Sequence, residues 1–324
     1  MEKIISGICP LRISFCGGGT DISPYKEKYG GATLDATINL YVRASIEPHY
    51  INVIRSVDFV GDPDYFLSNL PILDSICEQL GTNNKYRITC QSDVPRGSGL
   101  GSSSAFAVLF THLVAASLGK TLRPQEVAEI AIRAERWYAD LPGGVQDQYA
   151  CAYPGFNLFE FSTYTEIIPI KLLTQQVHSL QEHLLLCWTG VTRTTDNIIV
   201  DQQSRYDNPR TIEVLDDLKL MTYEAEEALL AGKYGILGII MHEAWGLKKS
   251  LSAKITNPTI DSVYNKITQA GAYGGKLCGA GGGGHMLLVV PVKERDKIIS
   301  VVETNGWRVV PFSFDGVGTL LWTQ

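Results

Sequence analysis

The chain has 324 residues, 45% of them hydrophobic and 19% charged. That is enough apolar side chain to bury the core of one large or two ordinary domains, and nothing in the composition suggests disorder. A formal net charge of -6 with no Lys/Arg run argues against nucleic-acid binding, which needs a basic face, and seven cysteines without a CxxC pair read as small buried hydrophobes in a reducing compartment rather than a disulfide framework or zinc site.

At the N-terminus Pro10 and Arg12 interrupt the run of Ile4, Ile5 and Ile8 before it resembles a signal-peptide core, and no later stretch approaches a membrane span. A cytoplasmic protein is expected. Lys3 to Phe15 is strand-like and runs into the turn Gly17-Gly18-Gly19. Arg12 and Asp21 are its polar exceptions, readable in isolation as an edge-strand charge and a helix N-cap. Gly31 to Ser56 alternates partially in β-branched and aromatic residues, which predicts strands with one buried face. Asn69 to Leu80 reads as a short helix and Arg87-Ile-Thr-Cys90 as a strand.

The stretch Asp93 to Ala105 combines three glycines and three consecutive serines. Gly97, Gly99 and Gly101 permit positive φ and the close approach of an anion. Ala105 to Ser117 is apolar on nearly every face, as a buried helix would be. Its N-terminal N–H groups and dipole would point back at Ser102, Ser103 and Ser104, a natural phosphate cradle. Two better-known motifs do not apply. A dinucleotide fingerprint would need glycine at Ser102, and a Walker A ending in Gly119-Lys120-Thr121 would need glycine at Val114.

Pro124 opens a further helix, with Val127, Ile130, Ala131, Ala134, Trp137 and Tyr138 at helical spacing and Glu135 at the edge of the stripe. Asp147 follows in the turn-like Leu141-Pro-Gly-Gly-Val-Gln-Asp-Gln148, so two carboxylates can converge near the phosphate loop. Magnesium takes oxygen ligands, commonly one or two protein carboxylates beside nucleotide phosphates. Past residue 175 a second domain is expected. It holds a buried strand at His183 to Thr189, helices at Arg210 to Ala231, Tyr234 to Leu251 and Asn257 to Ala270 whose charges read as solvated faces, and two strands around the loop Gly279 to Gly284. A helix at Lys293 to Thr304 and strands at Trp307 to Phe314 and Thr319 to Trp322 complete it. His285, beside a core strand, reads as structural.

Cys9-Pro-Leu-Arg-Ile-Ser-Phe-Cys-Gly-Gly-Gly-Thr-Asp21, Pro95-Arg-Gly-Ser-Gly-Leu-Gly-Ser-Ser-Ser-Ala105 and Lys276-Leu-Cys-Gly-Ala-Gly-Gly-Gly-Gly284 resemble, in order, the three motifs of the GHMP kinases (galacto-, homoserine, mevalonate and phosphomevalonate kinases). The resemblance spans most of the chain. It implies an α+β, two-domain fold: residues 1–175 like ribosomal protein S5 domain 2 and carrying the nucleotide, residues 176–324 ferredoxin-like. It also implies ATP and Mg²⁺ as cofactors, with the nucleotide on Arg96, Gly97, Ser98, Gly99, Leu100, Gly101, Ser102, Ser103 and Ser104 and the metal on Ser103 and Glu135. Asp147 would act as general base or hydroxyl-orienting group, and Arg12 as the cation beside the transferred phosphoryl. Gly18, Gly19, Thr20 and Asp21, with Gly281 and Gly282 of the third motif, would face the sugar.

Within the family, Gly17-Gly-Gly-Thr-Asp21 and the segment Leu141 to Gln148 are most similar to kinases of D-glycero-D-manno-heptose 7-phosphate. This implies transfer from ATP to the anomeric hydroxyl, giving the 1,7-bisphosphate. The partners implied are ATP and a small-molecule sugar phosphate, with no nucleic acid or membrane and with a homodimer left open. The phosphate already on the sugar needs a cation or donor cluster; Arg193, in the turn with Thr192, Thr194 and Thr195, is the sequence candidate. A sugar-1-kinase acting on an unphosphorylated hexose would keep the same motifs. A non-catalytic sensor could lose any of Arg12, Ser103, Glu135 and Asp147, and all four are present. A decarboxylase of the same superfamily is disfavoured by the sugar-type Gly-Gly-Thr-Asp sequence.

Overall fold

The apolar N-terminal run forms strand β1 (Ile5–Cys16) in the computed structural model, which describes residues 4–57, 63–192 and 196–323. After the short helix α1 (Tyr25–Tyr29), β2 (Gly31–His49) pairs antiparallel with β1. The first half of β2 is buried residue after residue, and the second half alternates, as befits a strand covered on both faces and then on one. The β1–β2 register shifts at Pro10/Leu11 and Ser14/Cys16. Proline cannot donate to the ladder, so the pairing steps there. Arg12 lies between the two irregularities.

β3 (Val53–Ser56), helix α2 (Pro63–Gln79) and β4 (Lys85–Ser92) follow, then α3 (Ser102–Ser117), α4 (Pro124–Ile132) and α5 (Gln146–Ala152). A hairpin of β5 (Phe156–Phe161) and β6 (Thr165–Ile170) pairs with the first half of β2. α3 packs on β1 and β2, which its continuous apolar surface requires.

The second domain runs through α6 (Thr174–His183), β7 (Leu184–Trp188), α7 (Asp196–Gln203), α8 (Pro209–Leu230), α9 (Tyr234–Ser250), α10 (Pro258–Gln269), β8 (Gly274–Leu277), β9 (His285–Val289), α11 (Arg295–Thr304) and β10 (Arg308–Val310). Asn208 and Asn257 cap α8 and α10, each followed by a proline at the first helical position. The sheet order is β10-β7-β9-β8, antiparallel throughout. In chain order that is 4-1-3-2, the ferredoxin-like arrangement, with α7 to α10 filling the first crossover. One apolar core runs from β1 through Leu215 and Leu218 of α8 to β9, so the two domains pack as a continuous body.

The last strand departs from the second domain (expected at 176–324), which Thr319 to Trp322 was expected to complete. β11 (Leu320–Thr323) leaves the second sheet and pairs antiparallel with β1, completing a seven-stranded sheet. On the way, Asn39 N–H donates to Ser313 O and Asp315 N–H to Thr37 O. The segment satisfies the ladder groups of Ile5 to Ile8 that β1 would otherwise present at an open edge. All seven cysteines are buried thiols. Among the described residues, no helix is long and apolar enough to cross a membrane.

Candidate active site

Gly97, Gly99 and Gly101 take φ of 74°, 80° and 77°, so every second residue of the loop is left-handed, which ordinary residues adopt only at a cost. Gly101 caps α3, and Ser102 begins the helix with its N–H groups at the cleft. Arg96, Gly97, Ser98, Gly99, Ser102, Ser103 and Ser104 all line that cleft, but Leu100 does not. Leu100 is buried, and its carbonyl accepts the Arg12 backbone N–H. Ser98 is also buried, its hydroxyl accepting the Leu100 N–H at 3.4 Å. The second domain holds the loop through His285, whose backbone N–H and Nδ1 both reach Ser98 O at 2.9 Å. Burial lowers the His285 pKa to about 4. The side chain is neutral and structural.

Arg12 is 1% exposed and is not an edge charge. Its Nε and one terminal nitrogen donate to Asp147 Oδ1 at 2.9 and 2.6 Å, and the other terminal nitrogen donates to Gly99 O at 2.7 Å. These bonds use three of its five N–H groups. Burial opposes the guanidinium charge, but Asp147 and then Asp35 outweigh it and hold its pKa above the ordinary value. Asp147 lies in the first turn of α5 rather than in a free turn.

Behind this pair sit buried Asp35 and Lys276. Thr33 Oγ1 donates to Asp35 Oδ2 at 2.6 Å, and Lys276 Nζ donates to Ser14 O at 2.8 Å. Burial raises the Asp35 pKa from 3.8 to about 7, against the pull of Arg12, and lowers that of Lys276. The folded chain therefore keeps a proton on Asp35 that the unfolded chain releases, so ionising Asp35 costs stability as pH rises from 3.8 to about 7. Asp35→Asn lacks this cost. Its melting temperature relative to wild type is expected to climb across that window, and a pH-independent difference would refute the assignment.

α4 widens into a single π-helical turn, Arg133–Tyr138, a feature that often re-aims a functional side chain. Here it carries Glu135, 1% exposed, whose Oε1 accepts from Ser103 Oγ at 2.7 Å and whose Oε2 accepts from Gln148 Nε2 at 2.6 Å. Both donors are neutral, and the neighbouring arginines turn elsewhere, Arg133 to Glu129 and Arg136 to Gly144 O. A buried carboxylate with no cationic partner among the described residues, beside a hydroxyl and next to a phosphate loop, fits a hard divalent cation. Among the described residues no group of three His, Cys, Asp or Glu could hold a metal. Such an ion would take its other ligands from phosphate and water.

Asp21 is not the cap of α1, which starts after Pro24. Its Oδ1 accepts from Gly19 N–H at 3.1 Å and its Oδ2 from Gln146 N–H at 3.0 Å, joining the first glycine turn to the residue before Asp147. Burial raises its pKa. Tyr206 O–H donates to Gly19 O at 2.9 Å and braces the turn. Gly19, Asp21 and Gly282 line the cleft, and Gly18, Thr20 and Gly281, expected beside them, are not among its lining residues. Thr20 is fully buried, bonding to Gly17 and Ala32. Gly18 is backed by Lys248 and Gln146, and Gly281 by Ile255.

A Cβ at Gly144 would lie 1.7 Å from Asp21 Oδ2. Gly144→Ala must displace Asp21 or the segment bearing Gln146 and Asp147, and misplacement on the order of 1 Å can cost roughly 10²-fold in rate. A loss of that order in kcat/KM for the sugar that the resemblance implies, with little change in KM for ATP, is the expected result in steady-state kinetics. Wild-type kinetics would show that the loop yields without consequence.

The cleft encloses about 930 Å³ between the two domains, ample for a nucleotide and a sugar. Arg136, Gln146, Gln202, Lys248 and Lys254 line it without having been singled out in the sequence. Lys248 was expected on a solvated helix face but is 4% exposed. Arg193, with Thr194 and Thr195, lies outside the described residues.

The sequence matches the GHMP kinases N terminal domain over residues 66–155 and the GHMP kinases C terminal domain over residues 225–306. It is 32% identical to the D-glycero-alpha-D-manno-heptose 7-phosphate kinase of Campylobacter jejuni, across 99% of both chains. Among solved structures, a D-glycero-D-manno-heptose 1-phosphate kinase from Bacteroides thetaiotaomicron superposes with a TM-score of 0.79 at 28% identity, covering 98% of each chain. Lactococcus lactis galactokinase shares the fold at 18% identity and a TM-score of 0.75, over 98% of this chain and 95% of that one. With both family domains matched in order around one cleft, the chain belongs to the GHMP kinases.

Proposed function

We propose that the protein transfers the γ-phosphoryl group of ATP to the anomeric hydroxyl of D-glycero-D-manno-heptose 7-phosphate, giving the 1,7-bisphosphate and ADP. The observation that carries the reading is the Arg12–Asp147 pair, set in the cleft between the glycine loop of α3 and the turn bearing Asp21. Both bonds from Arg12 fall on Asp147 Oδ1, so Oδ2 serves the acceptor. Asp147 takes the hydroxyl proton as the sugar oxygen bonds to phosphorus and the bridging P–O bond to ADP breaks. Arg12 keeps one N–H on each terminal nitrogen for the migrating phosphoryl group. Asp21, fixed by two backbone N–H groups, accepts from sugar hydroxyls. Ser103 and Glu135 would hold Mg²⁺, which when bound neutralises charge on the nucleotide phosphates.

The Campylobacter relative is named for the 7-phosphate and the Bacteroides structure for the 1-phosphate. The difference is chemical, because a 1-phosphate has its anomeric oxygen already esterified. A coupled ADP-release assay with the heptose 7-phosphate, the heptose 1-phosphate, the unphosphorylated heptose and galactose, with ³¹P NMR of the product, separates these cases. Turnover of the 7-phosphate with a new anomeric phosphate is expected. Turnover of only the 1-phosphate or only an unphosphorylated sugar would overturn the reading.

A further inference from the structure

A phosphomonoester on the acceptor carries close to two negative charges, and the sugar hydroxyl contacts at Asp21 cannot serve it. Binding it takes cations and N–H donors. The second domain brings such groups to the cleft wall facing the first glycine turn. Gln202, in the last turn of α7, lines the cleft, is 2% exposed, and its Nε2 has no hydrogen-bond partner among the described residues. A buried donor left unsatisfied is uncommon and calls for an explanation. Lys248, near the end of α9, lines the same wall at 4% exposure. Its Nζ donates to Gly279 O at 2.8 Å and would lie 3.1 Å from a Cβ at Gly18, so the ammonium bridges the first and third glycine motifs. Lys254 stands exposed at the rim. Ile198 and Ile199 of α7 and Ile22 complete the wall with apolar surface suited to a sugar's carbon chain.

The carboxylates nearby are already engaged. Asp21 accepts two backbone N–H bonds. Asp201 accepts from Ser252 Oγ at 2.5 Å, pairs with Arg205 at 3.2 Å and also feels the charge of Lys254. Lys248 and Lys254 are thus the cationic side chains that the second domain contributes to this wall, among the described residues.

We propose that Gln202, Lys248 and Lys254 form the subsite for the phosphate already present on the acceptor, and so set the preference for a phosphorylated sugar. The proposal rests on the sugar-phosphate kinase reading above. The subsite lies on the second domain, apart from the glycine loop that faces the nucleotide.

The test compares kcat/KM of the full chain for D-glycero-D-manno-heptose 7-phosphate and for the same heptose without its phosphate. Wild type is expected to prefer the phosphorylated sugar. Lys248→Met and Gln202→Leu should each reduce that preference at least about tenfold and Lys254→Ala severalfold, with the change in KM for the sugar phosphate and not for ATP, the pattern of lost uniform binding. Lys248→Arg, which keeps the cation, should recover part of the preference. Lys254→Ala alters an exposed side chain, so it tests the subsite even if a buried variant fails to fold. An unchanged preference in the variants, or a rise in KM for ATP alone, would overturn the proposal. If wild type turns over neither heptose, the substrate reading falls separately. Calorimetric titration with D-mannose 6-phosphate and inorganic phosphate then decides the subsite: weaker binding to Lys254→Ala and Lys248→Met sustains it, and equal or absent binding by wild type and variants rejects it.

Discussion

Asp147→Asn is expected to lower kcat by about 10²- to 10⁴-fold, the usual cost of removing a positioned proton acceptor. The substitution changes little else at the nucleotide end. The phosphate loop presents backbone N–H groups and serines that do not depend on Asp147, so ATP affinity should stay within about twofold by titration. At Oδ1 an amide oxygen can still accept from Arg12. At the second position it offers an N–H donor where the acceptor hydroxyl needs a base. Arg12, 1% exposed, loses its charged partner, so some stability is lost too. That loss should be below the roughly 3–5 kcal/mol of a fully buried broken pair, because the Asp147 side chain keeps 26% exposure. Kinetics should accordingly be measured well below the variant's melting temperature. Near-normal turnover there would reject Asp147 as the base.

How far the site was legible in the sequence follows from what each residue type can specify locally. The glycine loop was readable because alternating glycines before an apolar helix restrict the backbone on their own. Without the family resemblance, Asp147 and Glu135 read only as carboxylates near that loop. Their roles depend on Arg12, 135 residues from Asp147 in the chain, and on a π-helical turn whose sequence, Arg133-Ala-Glu-Arg-Trp-Tyr138, looks like ordinary α-helix. Lys248 misleads for a related reason. A lysine in the last turn of a helix usually meets water, and only the packing of α9 against the glycine motifs buries this one. The resemblance implied that Thr20 faces the sugar, whereas its hydroxyl, in a tight turn, donates to the backbone carbonyls of Gly17 and Ala32. The hairpin β5–β6 went unread because β5 is buried on both faces and so lacks the period-two pattern. Nothing local to Leu320-Leu-Trp-Thr323 says which of two sheets it joins. The open edge of β1 decides that.

Glu135→Gln and Ser103→Ala should each raise the magnesium concentration for half-maximal activity about tenfold or more, and the double variant should fall well short of the product of the two effects. The non-additivity is the informative part, since two ligands of one ion cannot each be lost independently. The geometry separates this outcome from a structural one. Ser103 Oγ and Gln148 Nε2 already hold the Glu135 carboxylate from its two oxygens, so a merely structural Glu135 would lose stability on substitution without any shift in magnesium dependence. Gln148→Leu supplies the contrast. Gln148 is fully buried and, among the described residues, its side chain hydrogen-bonds to Glu135 Oε2, so as a positioning residue it should shift the magnesium requirement less than Glu135→Gln while costing more in melting temperature. The measurement is activity against free Mg²⁺ at saturating ATP, with thermal denaturation of each variant alongside. If Glu135→Gln and Ser103→Ala both keep the wild-type magnesium curve, the carboxylate is an internal brace for α3 and the metal must be held elsewhere in the cleft.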